Sequence, residues 1–130
     1  MEILRWKVRI AVLWVLMAGA MSAHGAMAIM EPGGMEEVAE VAAMGQGMLI
    51  FMSLFWLVPL WLAFVSLTVK GSCNRWTNFI LGIIFTILNI VHFTEHLAPP
   101  SPVQILIVGS TVVATALIAW YAWKWPKEEA

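Results

Sequence analysis

Residues 44–69 read MGQGMLIFMSLFWLVPLWLAFVSLTV, an unbroken run without a charged side chain. A helix needs about 20 such residues to cross a hydrocarbon core of about 30 Å, so this stretch alone reads as a membrane span. Three further apolar blocks flank it, at roughly Val8–Met30, Trp76–Leu97 and Pro102–Trp123. In lipid every backbone polar group must be satisfied internally, and no block alternates in polarity as a barrel strand does. All four blocks are therefore expected to be helices. With short connections they form an all-α, antiparallel up-down-up-down four-helix transmembrane bundle spanning residues 1–130 as one domain.

Charge orients the bundle. The seven Lys and Arg residues are Arg5, Lys7 and Arg9 before the first block, Lys70 and Arg75 between the second and third, and Lys124 and Lys127 after the fourth. The loop of residues 31–43 holds Glu31, Glu36, Glu37 and Glu40 and no basic residue, and Glu95 is the charge beside the other odd loop. Positive residues stay cytoplasmic during insertion, so both termini are expected inside and both odd loops outside. A multi-pass protein of a prokaryotic inner membrane fits this pattern. A signal peptide is the competing reading of the first block, with Ala26-Met27-Ala28 as a cleavage pattern. The apolar stretch runs on to Met30, which favours a retained helix.

Composition narrows the function. The chain is 62% hydrophobic and 12% charged, leaving no room for a soluble domain and no basic patch for nucleic acid. Cys73 is the single cysteine, so dithiol chemistry within one chain is excluded. Glu31-Pro32-Gly33-Gly34 is a turn, followed by a short amphipathic segment over Met35–Ala43. Gly71-Ser72-Cys73-Asn74 is expected to break the chain before the third helix, with Ser72 or Asn74 as its cap. Pro99-Pro100-Ser101-Pro102 reverses the chain, and Pro102 suits a first helical turn. Pro59 should kink the second helix.

Polar residues inside lipid locate the bundle interior. Asn78, Asn89, His92 and His96 recur at helical spacing on the third helix, Gln104, Thr111 and Thr115 on the fourth, and Trp14, Met17, Met21 and His24 on the first. Interhelical hydrogen bonding explains such stripes, and Asn78, Asn89, Gln104 and Thr111 are the candidates for lining any interior cofactor site. Histidine suggests more. His24 and His92 both lie roughly 7–9 Å above the middle of their own helices at 1.5 Å per residue, and His96 is one turn further out. With Glu95 beside them, they are candidate metal or haem ligands between the first, third and fourth helices, and Gln104 or Glu95 would support them.

Two other patterns stand in the sequence. His92-Phe93-Thr94-Glu95-His96 fits H-x-x-E-H, the inverted zinc-protease signature, but the flanking sequence is unlike those enzymes. Met44, Met48 and Met52 recur every fourth residue, as Cu(I)-handling helices do, although methionine is also ordinary apolar filling.

Several short motifs carry a family resemblance. They are Leu13-Trp14, Met30-Glu31-Pro32-Gly33, Pro59, Asn74-Arg75-Trp76-Thr77-Asn78, Gly82, Thr86, Pro99-Pro100 and Trp120-Tyr121-Ala122-Trp123-Lys124-Trp125. Over residues 10–126 the chain resembles a family of small prokaryotic four-helix membrane proteins, similar in layout to DoxX-like proteins. The resemblance implies a four-helix fold and no set reaction, while DoxX-like subunits of quinone-linked oxidoreductases suggest a quinone or accessory role. The expectation is a non-catalytic integral membrane protein that self-associates into a homo-oligomer or joins other membrane subunits in the bilayer. The alternative is a membrane metal-, haem- or quinone-binding protein with its site in the outer leaflet.

Overall fold

The computed structural model describes residues 1–126, so Lys127 lies outside the described residues. The chain forms α1 (Glu2–Met30), α2 (Gly34–Ala43), α3 (Gln46–Thr68), α4 (Gly71–Glu95) and α5 (Pro102–Trp123). No named strand occurs among the described residues. Four of these helices, α1, α3, α4 and α5, are long and apolar enough to cross a membrane, as the hydropathy pattern requires. The amphipathic segment after the Glu31-Pro32-Gly33 turn is the short α2.

Two helix starts differ from the sequence expectation. α1 begins at Glu2 rather than Val8, carrying Trp6 and Lys7 on the helix. There Lys7 is buried, and its Nζ donates to the Val69 carbonyl at 3.0 Å, closing the C-terminal end of α3. α4 begins at Gly71, so Ser72 and Asn74 lie within the helix and cap nothing at its start. Asn74 instead turns back, and its Nδ2 donates to Ser66 O at 2.9 Å and to Val69 O at 2.7 Å. It thus satisfies carbonyls that the end of α3 leaves without helical partners. Pro59 is fully buried inside a continuous α3.

α5 packs against both α4 and α1, α1 packs along α3, and α3 meets α4 only thinly. Glycine permits the tightest of these contacts, because a Cβ on Gly82 of α4 would lie 3.0 Å from the Ala119 backbone nitrogen of α5. Ile10, Trp14, Met17, Val108 and Ile118 are wholly enclosed between the helices. Edge-to-face contacts join Trp14 to Phe85 and Phe55 to Phe85, both with centroids 5.4 Å apart.

Polarity is inverted relative to a water-soluble bundle. Ser66, Asn74, Asn78, Asn89, Thr111 and Thr115 are all fully buried, whereas Trp61 is 65% exposed and Leu106 74%. Asn78 collects three helices. Its Oδ1 accepts from Trp14 Nε1 of α1 at 2.7 Å and from Ser66 Oγ of α3 at 3.0 Å, and its Nδ2 donates to Asn74 Oδ1 at 2.6 Å. Without water between helices, such bonds and close packing are what hold apolar helices together.

Candidate metal site

α1, α4 and α5 converge at the end of the bundle that α2 covers. His24 ends the buried face that runs through Trp14, Met17 and Met21 on α1. His92 occupies the last turn of α4, and His96 is the residue on which that helix stops. Four residues of separation bring the last two side chains to one face. The three imidazoles form one cluster, with ring centroids 4.6 Å apart for His24 and His92, 5.1 Å for His24 and His96, and 5.0 Å for His92 and His96. One nitrogen from each ring lies within 4.8 Å of the others.

Gln104, in the first turn of α5, sets the chemistry of His24. Its Nε2 donates to the His24 carbonyl at 3.2 Å, which leaves its Oε1 facing His24 Nδ1 at 2.6 Å. An amide oxygen only accepts, so Nδ1 carries a proton, and in the neutral ring Nε2 then keeps its lone pair. This is the arrangement in which a supporting hydrogen bond orients a metal-binding imidazole. Gln104 is itself held by the turn before it, where Ser101 Oγ accepts from the Gln104 amide at 3.3 Å and donates to Glu31 Oε2 at 2.8 Å.

The other two rings face each other through their Nε2 atoms, 3.3 Å apart. Tetrahedral zinc with Zn–N bonds of about 2.0–2.1 Å holds its ligand nitrogens roughly 3.3–3.4 Å apart. The His92–His96 pair is thus at ligand spacing already, while a nitrogen of His24 stands within 4.8 Å of both.

Two cavities meet at the cluster. A polar vestibule of about 430 Å³ is lined by Glu31, Glu37, Glu95, His96, Ser101 and Gln104 among others. On the other side lies a largely apolar chamber of about 230 Å³ between α1, α2 and α3. His24 and His92 form part of its wall, with Met21, Met52, Phe55 and Trp56 opposite or beside them. The Trp56 Nε1 is buried without an acceptor.

The remaining sequence candidates fall elsewhere. Glu95 is exposed, lines the vestibule and stands outside the histidine cluster. Asn89 lies one turn inward of His92, and its Nδ2 points to Thr111 O and Thr115 Oγ1, both at 3.4 Å. Asn78 belongs to the network around Trp14 at a different level of the bundle. Met44 is exposed, and of the methionines at fourth-residue spacing on α3 only Met52 reaches the chamber. Glu37 and Ser101 escaped the sequence reading. The signal for Ser101 was its position ahead of Pro102 as a helix cap, and Glu37 offered only a place on an amphipathic segment. No family model, curated protein or solved structure matches the chain.

Proposed function

We propose that this chain is an integral membrane protein that binds a divalent transition-metal ion, zinc in the first instance, through His24, His92 and His96. The observation that carries the proposal is the three-imidazole cluster, one nitrogen of each ring within 4.8 Å of the others, with Gln104 Oε1 accepting from His24 Nδ1 and so supporting that ring. Neutral imidazoles with a supporting hydrogen bond are what zinc, copper and nickel select. Haem fits less well, because axial imidazoles face each other across a porphyrin, whereas the Nε2 atoms of His92 and His96 are adjacent at 3.3 Å.

The Lys and Arg pattern supports an antiparallel up-down-up-down bundle with both termini cytoplasmic in a prokaryotic inner membrane. In that orientation the vestibule and the histidines face outward, where an ion arrives from outside the cell. The test is metal analysis and a visible spectrum on tag-free protein extracted in mild detergent, followed by zinc titration. Close to one zinc per chain, lost in a His24→Ala/His92→Ala variant that keeps its helical content, is the expected result. Equal zinc uptake by that variant and the parent chain overturns the proposal.

A second reading is self-association or attachment to other membrane subunits without chemistry. It is favoured by an open groove between α1 and α5 whose floor includes Gly19, Ala20, Ala23, Gly109 and Ser110, residues small enough for another helix to approach. A strictly monomeric protein in mild detergent with no co-purifying subunit argues against it.

A further inference from the structure

Three neutral imidazoles leave the whole charge of a divalent cation uncompensated. The cluster is partly buried and has the apolar chamber against one side, so that charge is costly there. A carboxylate in the fourth position of a tetrahedral ion lowers the net charge and completes its shell.

Three carboxylates are near enough to consider. Glu31 gives one oxygen to Ser101 and closes the C-terminal end of α1, and although its Oε1 is buried without a partner the residue lines the vestibule and not the chamber. Glu95 lines the vestibule alone. Glu37 lines both the vestibule, where His96 is, and the chamber, where His24 and His92 are, and among the described residues no other carboxylate does so.

Glu37 is carried by a short, lightly packed helix with glycine backbone at both ends. α2 is bounded by Gly33 at φ 81° and Gly45 at φ 97°, left-handed or otherwise glycine-specific backbone at each end. Its first residue, Gly34, is pinned against α1, since a Cβ there would overlap the Ala28 carbonyl oxygen. Beyond that point α2 has few contacts with α1 and α3, and most of its residues are exposed. Glu37 sits one turn from the pinned end and stands outside the histidine cluster as Glu95 does, so its carboxylate reaches an ion there only if α2 approaches the site.

We propose that Glu37 is the fourth ligand of the histidine site and that α2 closes over the site when a zinc ion binds. This rests on the metal-binding reading above and adds to it a charge-neutralising ligand and a lid. The ion enters through the Glu-lined vestibule, and closure separates that vestibule from the apolar chamber.

The test is zinc titration of the full chain in detergent, comparing Glu37→Gln with Glu36→Gln and His24→Ala/His92→Ala. Hydrogen exchange of the α2 amides with and without zinc accompanies it. Glu37→Gln should weaken zinc by about a hundredfold, the lower end of what breaking a buried ion pair costs, and Glu36→Gln should bind as the parent does. Zinc should slow exchange over Gly34–Ala43 in the parent and leave it unchanged in Glu37→Gln. Parent-like zinc affinity in Glu37→Gln, with binding lost in the histidine variant, overturns Glu37 as a ligand and leaves the histidine site standing. Equal weakening by Glu36→Gln and Glu37→Gln also overturns it, since a diffuse charge effect then suffices. Unchanged binding in the histidine variant overturns both.

Discussion

Replacing Asn78 with leucine tests whether the bundle is held at its centre by polar bonds or by apolar packing alone. Asn78 Oδ1 accepts from Trp14 and Ser66, and Nδ2 donates to Asn74 O at 2.9 Å and Asn74 Oδ1 at 2.6 Å. Ser66 keeps a second acceptor, the Leu62 carbonyl at 2.7 Å, so its loss counts little. Of the three remaining bonds, that to Trp14 crosses helices and the two to Asn74 lie within α4; at about 0.6 kcal/mol each they amount to about 2 kcal/mol. Trp14 is fully buried, and its indole N–H then has no acceptor, which costs about 1–3 kcal/mol more. Some of this is offset by the leucine's own contacts, leaving an expected destabilisation of about 2–4 kcal/mol. The assay is unfolding in mild-detergent micelles by added sodium dodecyl sulfate, followed by circular dichroism. Trp14→Phe and the Trp14→Phe/Asn78→Leu double variant complete a cycle whose coupling should be about 1–2 kcal/mol. Stability within about 0.5 kcal/mol of the parent, or zero coupling, refutes the reasoning.

Gln104→Leu should lower zinc affinity by about 10–100-fold while the helical content stays unchanged, because it frees the His24 ring rather than removing it; calorimetric titration reads the change. Gly82→Ala should destabilise by about 1–3 kcal/mol, since the added methyl meets the α5 backbone and forces α4 and α5 apart; detergent unfolding measures it. Ser101→Ala removes both the α5 cap and the partner of Glu31, for an expected loss of about 1–2 kcal/mol in the same assay.

The four long apolar helices were legible because a membrane span demands long apolar runs, which residues 44–69 and 102–123 supply. The buried faces were legible too: Trp14, Met17 and Met21 on α1, and Asn78 and Asn89 on α4, stand at helical spacing and lie inside. The start of α4 was not, because Gly71 and Asn74 look like a turn until Asn74 is seen serving α3 rather than its own helix. Side-chain aim was equally hidden. Equal depth put His24 and His92 at one level, but that Gln104 would grip both the ring and the carbonyl of His24 follows only from how α1 and α5 meet. Glu37 is one of several glutamates on an exposed segment, and sequence offers nothing to separate it from Glu36.

The uneven packing of α3 has a mechanical consequence. Side-chain bonds tie α3 to α4 at Ser66, Asn74 and Asn78, near one end of the helix, while toward the α2 end the contact between the two is chiefly Phe55 on Phe85. That end of α3 leans on α1 instead, with Trp56 beside Gly25, and it carries Met52 and Trp56. Those residues are a wall of the 230 Å³ chamber, so the room beside the histidines is set by the angle at which α3 stands.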